Sequence, residues 1–323
     1  MGASLLKKAA RSAFEMGGGL RYGRWVNRKW LRILTYHRFS DRDALARQLR
    51  HIRDAYSPVS MTQVAGFLSG GGALPDNALA FTVDDGYRDF YQVAYPVLRE
   101  YGIPATVYLV SGFVDRRLYL WLDQVRYAIL HSPAQSYTLE IGGVARTLGL
   151  TTPEARKTAL LAVGEAAKKL PNAERVRLLQ RLPEQLQVRI PVEAPVEYEA
   201  MLWDEAREMA DGGIEFGAHT RTHPVLSRLA TRQELDEEIG GCKLEIEQRL
   251  GRPVDHFCYP NGSNADFGVE TVEAVRRAGY LTAVTMEKGL NNSSTDPFRL
   301  RRIGVQPELD EAYFQRCAAA YRV

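Results

Sequence analysis

Seven short apolar runs, separated by helical patterning, restrict this sequence more than any other feature. They are RILTYH (32–37), ALAFTVDD (78–85), ATVYLVSG (105–112), IEFGAHT (214–220), HFCYPNG (256–262), LTAVTM (281–286) and LRRIGV (300–305). Each is apolar at most positions rather than alternating, as suits a parallel strand covered on both faces. Helical patterns fill the gaps at 88–101, 203–211, 231–250 and 269–278. Thr231 with Glu234 has the form of a capping box, and Gly251-Arg252-Pro253 stops that helix. Strands alternating with helices predict βαβ units, and seven of them predict a closed or nearly closed α/β barrel.

One stretch breaks the alternation. Residues 124–200 carry no clear parallel strand. Within them, 137–150 reads as a hairpin around Gly142-Gly143, and 153–170 and 173–182 read as amphipathic helices. The expected organisation is a basic arm over 1–31, then a barrel over 32–323 with an insertion at about 124–200.

The 323 residues are 45% hydrophobic and 25% charged, which excludes disordered, collagenous and coiled-coil classes. Three scattered cysteines form neither a disulfide framework nor a paired zinc pattern. A net charge of only +3 argues against a nucleic-acid partner. Its distribution is uneven. Lys7, Lys8, Arg11, Arg21, Arg24, Arg28, Lys29 and Arg32 face only Glu15 in residues 1–32, so the remainder is mildly acidic. That arm reads either as a solvated tail or as a peripheral contact with an anionic membrane. No apolar stretch is long enough to span a bilayer, and charge interrupts MGASLLKKAARSAF too early for a signal peptide. The expected location is cytoplasmic, and the second reading of the arm would bring the chain to the inner face of the membrane.

Two motifs carry the chemistry. In FTVDDGYRD, Asp84 and Asp85 stand side by side at a strand end, before Gly86. Successive strand side chains point to opposite faces, so both carboxylates serve one site only if the chain turns there, which Gly86 permits. Alone, the motif reads more readily as a turn with a helix N-cap. In FGAHTRTHPVLSRL, His219 and His223 are four positions apart, and a coiling chain would turn both imidazoles to one side. Two nitrogens and one carboxylate oxygen make a three-ligand site with a vacant position, suited to a catalytic divalent metal such as Zn²⁺. Both motifs end parallel strands, the rim where barrel active sites gather. Tyr36-His37 and Tyr259-Pro260-Asn261-Gly262 end on the same rim.

With these motifs, the sequence resembles the polysaccharide deacetylases, the NodB-homology group of carbohydrate esterase family four. The T-F-D-D-G motif of that family stands here as Thr82-Val83-Asp84-Asp85-Gly86, and its H-[ST]-x-x-H as His219-Thr220-Arg221-Thr222-His223. The resemblance spans roughly residues 32–305. It implies an irregular (β/α)7 barrel, here with a helical and hairpin insertion. It also implies metal ligation by Asp85, His219 and His223, with Asp84 as general base. The main-chain N–H of Asn261 would steady the oxyanion. The implied reaction is removal of N-acetyl groups from an amino-sugar glycan or lipid-linked sugar, in bacterial exopolysaccharide or cell-wall metabolism.

The sequence departs from the family in two places. Cys258 stands where an Arg commonly orients the base, and no His follows LRRIGV to act as general acid. A permuted branch begins with a Tyr-His strand, which makes His37 the candidate acid. Arg302 is the candidate replacement for the Arg, against the alternative of a surface or inter-strand ion pair. Tyr259, Trp121 and Asp123 are further candidates for substrate contact or orientation, Trp121 by stacking on a sugar and Asp123 by binding a hydroxyl. Buried packing is the other reading of Trp121. His51, His131, His256 and Cys258 read as structural. The same site would serve a sugar O-deacetylase or a deformylase, and the two departures leave room for an inactive glycan-binding protein. A glycoside hydrolase needs its carboxylates about 5–9.5 Å apart across the bond, which adjacent aspartates do not offer.

Overall fold

The computed structural model describes residues 18–320. Its strands are β1 (Arg32–Tyr36), β2 (Ser57–Val59), β3 (Ala78–Val83), β4 (Ala105–Leu109), β5 (Ser136–Ile141), β6 (Val144–Gly149), β7 (Glu215–Ala218), β8 (His256–Cys258), β9 (Thr282–Lys288) and β10 (Leu300–Gly304). The seven apolar runs become β1, β3, β4, β7, β8, β9 and β10, all parallel, and β10 returns to β1 to close the ring. Every residue of β1, β3 and β4 is buried, the signature of strands covered on both faces. The barrel is irregular: β7 and β8 share a single paired position, and the register slips between β9 and β10.

The sequence patterning does not anticipate β2. This strand extends the amino half of β3, while β4 pairs with the carboxyl half. Three residues centred on Pro58 show no periodicity and cannot complete a ladder, so the strand sits at an edge.

The outer helices follow from local signals. Thr231 accepts a hydrogen bond from the Glu234 N–H, and Gly251 takes a left-handed φ of 67° to end that helix. The pattern at 88–101 splits into a π turn, Phe90–Ala94, and the helix Tyr95–Tyr101. Pro96 offers no N–H, and the wider turn passes it without a broken ladder.

The insertion folds around its own apolar centre. Gly142 and Gly143, at φ 59° and 78°, turn β5 into antiparallel β6. Helices Pro153–Lys169 and Asn172–Gln185 pack on this hairpin and on Trp121–His131, a helix that patterning missed. Trp121, Val125, Tyr137, Leu148, Val163 and Leu182 form its core.

Of the basic arm, residues 1–17 lie outside the described residues. Residues Gly19–Val26 form a helix, and the chain then enters β1. Arg32 belongs to the barrel rather than to a solvated arm: it is fully buried, and its Nε donates to the Ala318 carbonyl at 2.8 Å.

Gly217 shows how tightly the barrel is filled. A Cβ there would lie 2.5 Å from the Tyr108 ring and 2.7 Å from the His256 carbonyl, and neither can withdraw from its strand. Gly217→Ala is therefore expected to lower the unfolding free energy by about 1–3 kcal/mol, measured by urea denaturation.

Candidate active site

The site is built on strand ends. At the end of β3 the Asp84 N–H extends the ladder by donating to the Tyr36 carbonyl at 3.0 Å. Asp85 and Gly86 then take φ values of 77° and 93°. A Cβ on Gly86 would come within 2.8 Å of Leu109, so this turn requires glycine on both conformational and steric grounds. The reversal keeps both carboxylates on the barrel rim, 2% and 8% exposed.

The two carboxylates have different partners. Arg302, fully buried, donates to both oxygens of Asp84 at 2.7 Å each. Its remaining donors reach Thr35 Oγ1 at 2.9 Å, the Thr285 carbonyl at 2.8 Å and Cys258 Sγ at 3.1 Å. Burial alone would raise the Asp84 carboxyl, but Arg302 overrides it and holds the group well below the usual carboxylate range. Asp85 has no such cation, and burial together with neighbouring Asp84 and Asp123 pushes its carboxyl well up.

Beside Asp85 stand the two imidazoles. Nε2 of His219 and Nε2 of His223 each lie 3.5 Å from the same Asp85 oxygen. That is too long for a hydrogen bond but matches the edge, about 3.4 Å, of a tetrahedron with ligand bonds of about 2.1 Å. The Nδ1 of His219 bonds the Cys258 carbonyl at 2.7 Å, which turns Nε2 toward Asp85. Burial lowers the His219 pKa to about 4 and holds that of His223 well below its usual value, so both rings are neutral at neutral pH. A buried carboxylate without a fixed cation, at tetrahedral spacing from two neutral imidazoles, fits a divalent metal.

The geometry around the imidazoles differs from the expected coil. Residues 219–223 are not helical. Left-handed Thr220 and His223, at φ 68° and 57°, fold the rings together instead. Glu238 fixes that turn by accepting from the Arg221 and Thr222 N–H groups, both at 2.9 Å.

The remaining candidates divide. His37 is half-exposed at the site mouth, its Nε2 3.6 Å from Asp84. Asn261, at φ 59°, stands on the same rim, and no group among the described residues accepts from its main-chain N–H. Tyr259 does not join them: it is 1% exposed, stacks on Phe267 at 4.0 Å and spends its hydroxyl on the Phe298 carbonyl. Trp121 is buried too, so no sugar reaches its face; its indole N–H donates to the His223 carbonyl at 3.2 Å. Asp123, 4% exposed, accepts a short hydrogen bond from the Tyr87 hydroxyl, and that hydroxyl occupies the place proposed for a sugar.

Sequence patterning missed Arg175. This insertion residue lies 5% exposed over the Trp121 ring and reaches the His223 carbonyl within 3.5 Å. The AERVRLLQRL pattern gives it the periodicity of an ordinary surface helix, and nothing local distinguishes it from Arg177 or Arg181.

Comparison with known proteins identifies the family and the fold. The family model for polysaccharide deacetylase matches residues 71–283. YxkH of Bacillus subtilis, whose name marks it provisionally as a polysaccharide deacetylase, is 20% identical over 292 residues, 88% of this chain and 74% of its own. The poly-beta-1,6-N-acetyl-D-glucosamine N-deacetylase of Escherichia coli K12 is 38% identical, but over only 73 residues, 22% of this chain and 11% of its own length. Among solved structures, IcaB from Ammonifex degensii superposes with a TM-score of 0.59 at 19% identity, covering 90% of this chain and 96% of its own. The Streptococcus pyogenes deacetylase PplD, in complex with acetate, gives 0.56 at 19% identity over 86% and 93%. At these identities the structural matches establish the (β/α)7 fold.

Two predictions follow from the supports of the site. Arg302→Met leaves Asp84 buried and unpaired, so it is expected to cost about 3–5 kcal/mol in urea unfolding, much of it recovered when Asp84→Leu is added. Arg175→Met removes a support of the His223 main chain and is expected to weaken Zn²⁺ binding about 10–100-fold by competition with a chromogenic chelator. Unchanged affinity would leave Arg175 a packing residue only.

Proposed function

The chain belongs to the polysaccharide deacetylase family, and from that premise we propose that it hydrolyses the N-acetyl group of an acetylated amino-sugar glycan. The observation that carries this reading is the asymmetry of Asp84 and Asp85. One carboxylate is neutralised by a built-in guanidinium; the other is left facing two neutral imidazoles.

Asp85, His219 and His223 would hold the cation, and two nitrogens with one oxygen favour Zn²⁺. When bound, the metal supplies Lewis-acid polarisation of the acyl carbonyl and acidifies water. The chain's own residues do the rest. Asp84, kept ionised by Arg302, takes a proton from the water whose oxygen adds to the carbonyl carbon. The Asn261 N–H donates to the carbonyl oxygen as negative charge develops there. The C–N bond then breaks, and His37, at the solvent-facing side of Asp84, protonates the departing amine nitrogen. The products are acetate and a free amino sugar. The relative named for N-deacetylation of poly-N-acetylglucosamine supports a glucosamine polymer as substrate class.

The test is acetate release from N-acetylglucosamine oligomers by purified, Zn²⁺-loaded protein. Asp84→Asn and His37→Ala are each expected to reduce kcat by about 10²–10⁴-fold with Zn²⁺ binding retained. Release from acetylated xylan but never from N-acetyl oligomers would reassign the enzyme to ester substrates. Glycan binding without release, in wild type and variants alike, would make it a binding protein.

A further inference from the structure

We propose that the helix Gly19–Val26 and the turn after it form a docking surface for an anionic lipid bilayer, at the end of the barrel opposite the catalytic carboxylates. The helix is inverted relative to an ordinary surface helix. Its small residues Gly19 and Gly23, with Leu20, face the protein, while its large residues face water. Tyr22, Trp25 and Val26 are 62%, 59% and 50% exposed, and Trp30 in the following turn is 38% exposed. Scattered exposed apolar residues need no explanation, but here two tryptophans, a tyrosine and a valine are exposed within nine positions, with the Tyr22 and Trp25 rings 6.0 Å apart. Aromatic side chains with an apolar body and a polar edge are those that settle at a membrane interface.

Charge selects the occupant. Residues 18–32 contain Arg21, Arg24, Arg28, Lys29 and Arg32 and no acid. Arg32 is buried, which leaves four cations at this end. Arg28 lies over the Trp25 ring at 5.0 Å, so guanidinium and indole are presented together. Asp76, which pairs with Arg28 at 3.5 Å and Lys29 at 2.6 Å, offsets one of these charges. The chain after residue 32 is net negative, so an anionic leaflet attracts this end and repels the remainder. Among the described residues no helix is long and apolar enough to cross a membrane.

The location of the patch has a consequence for substrate. The Arg28 carbonyl accepts from the Asn77 N–H at 2.6 Å, and Arg24 lies over Tyr56 at 5.8 Å. Asn77 and Tyr56 immediately precede β3 and β2, so the patch lies at the amino ends of the strands. Asp84, Asp85 and His37 lie past the carboxyl ends of β3 and β1, one strand length away, about 20 Å for six residues. A docked molecule therefore turns its catalytic rim away from the bilayer. A sugar held at the headgroup layer would not reach that rim; a glycan chain standing off the surface would. This last step rests on the deacetylase reading, whereas the docking itself does not.

The test is co-sedimentation of the full-length protein with vesicles of phosphatidylcholine, with and without about one-third phosphatidylglycerol. Binding is expected only to the anionic vesicles, and it should collapse near 1 M salt, where the Debye length is about 3 Å. Trp25→Ser with Trp30→Ser, and separately Arg21→Glu with Lys29→Glu, should each lower partitioning at least about tenfold. Acetate release from soluble oligomers serves as the control, because these residues lie outside the catalytic machinery. Unchanged turnover with lost vesicle binding supports docking, and loss of turnover in wild type would count against the enzyme reading alone. Failure of the wild-type protein to bind anionic vesicles, or equal binding by the tryptophan variant, overturns the proposal. So does a concentration-dependent dimer that the same substitutions abolish, since that would assign the patch to a second copy of the chain.

Discussion

Asp84 and Arg302 meet as full charges inside a closed ring of apolar strands, and most of what surrounds them follows from the cost of keeping them there. Taking either ion from water costs several kcal/mol, recovered only with good geometry and saturated donors. The two-point contact and the bonds from Arg302 to Thr35, Thr285 and Cys258 supply both. Those partners come from β1, β3, β8, β9 and β10, so the pair forms only when the barrel has closed. Folding and the fixing of Asp84 are one event, because Asp84 is anchored by the last strand of the ring.

Strain is concentrated on the same rim. Asp85, Thr220, His223 and Asn261 all hold left-handed backbone conformations without being glycine. Each costs of order 1–3 kcal/mol and persists only where its surroundings leave no alternative. The surroundings can be named. Glu238 clamps the turn between the histidines, and Trp121 with Arg175 holds the carbonyl of His223. The insertion, which looks dispensable to a barrel, thus supplies in Arg175 a side chain that helps to fix a metal-ligand candidate.

The seven barrel strands were legible because burial on both faces leaves an uninterrupted apolar run, a local property of the sequence. Asp85, His219 and His223 were legible because family motifs preserve their spacing. Other features had no local signature. β2 is defined by its edge on β3, and its three residues have no period of their own. Tyr259, just past β8, and Trp121, at the start of the helix Trp121–His131, are both buried, a matter of side-chain direction that no spacing encodes. Arg175 shares its pattern with solvent-facing arginines on the same helix, and only the tertiary packing of that helix against Trp121 buries it. The two histidines converge, though through left-handed turns rather than the helical coil that their spacing suggested.

Neighbouring aspartates with the same burial would ordinarily compete for one proton. The barrel prevents this by giving one of them a permanent counter-ion. With Arg302 beside it, Asp84 has no need of a second cation and both of its oxygens are occupied on the inner side, leaving it an ionised acceptor facing the cleft. Asp85 faces neutral imidazoles and has no cation in contact with it; Arg38 and Arg302 act on it only from a distance and do not offset burial and the neighbouring Asp84. It therefore either takes up a proton or recruits a cation, and metal affinity at this site must rise with pH as that proton leaves. The proposed division into base and ligand is thus set by which carboxylate the strand order delivers to β10, not by any difference between the two aspartates themselves.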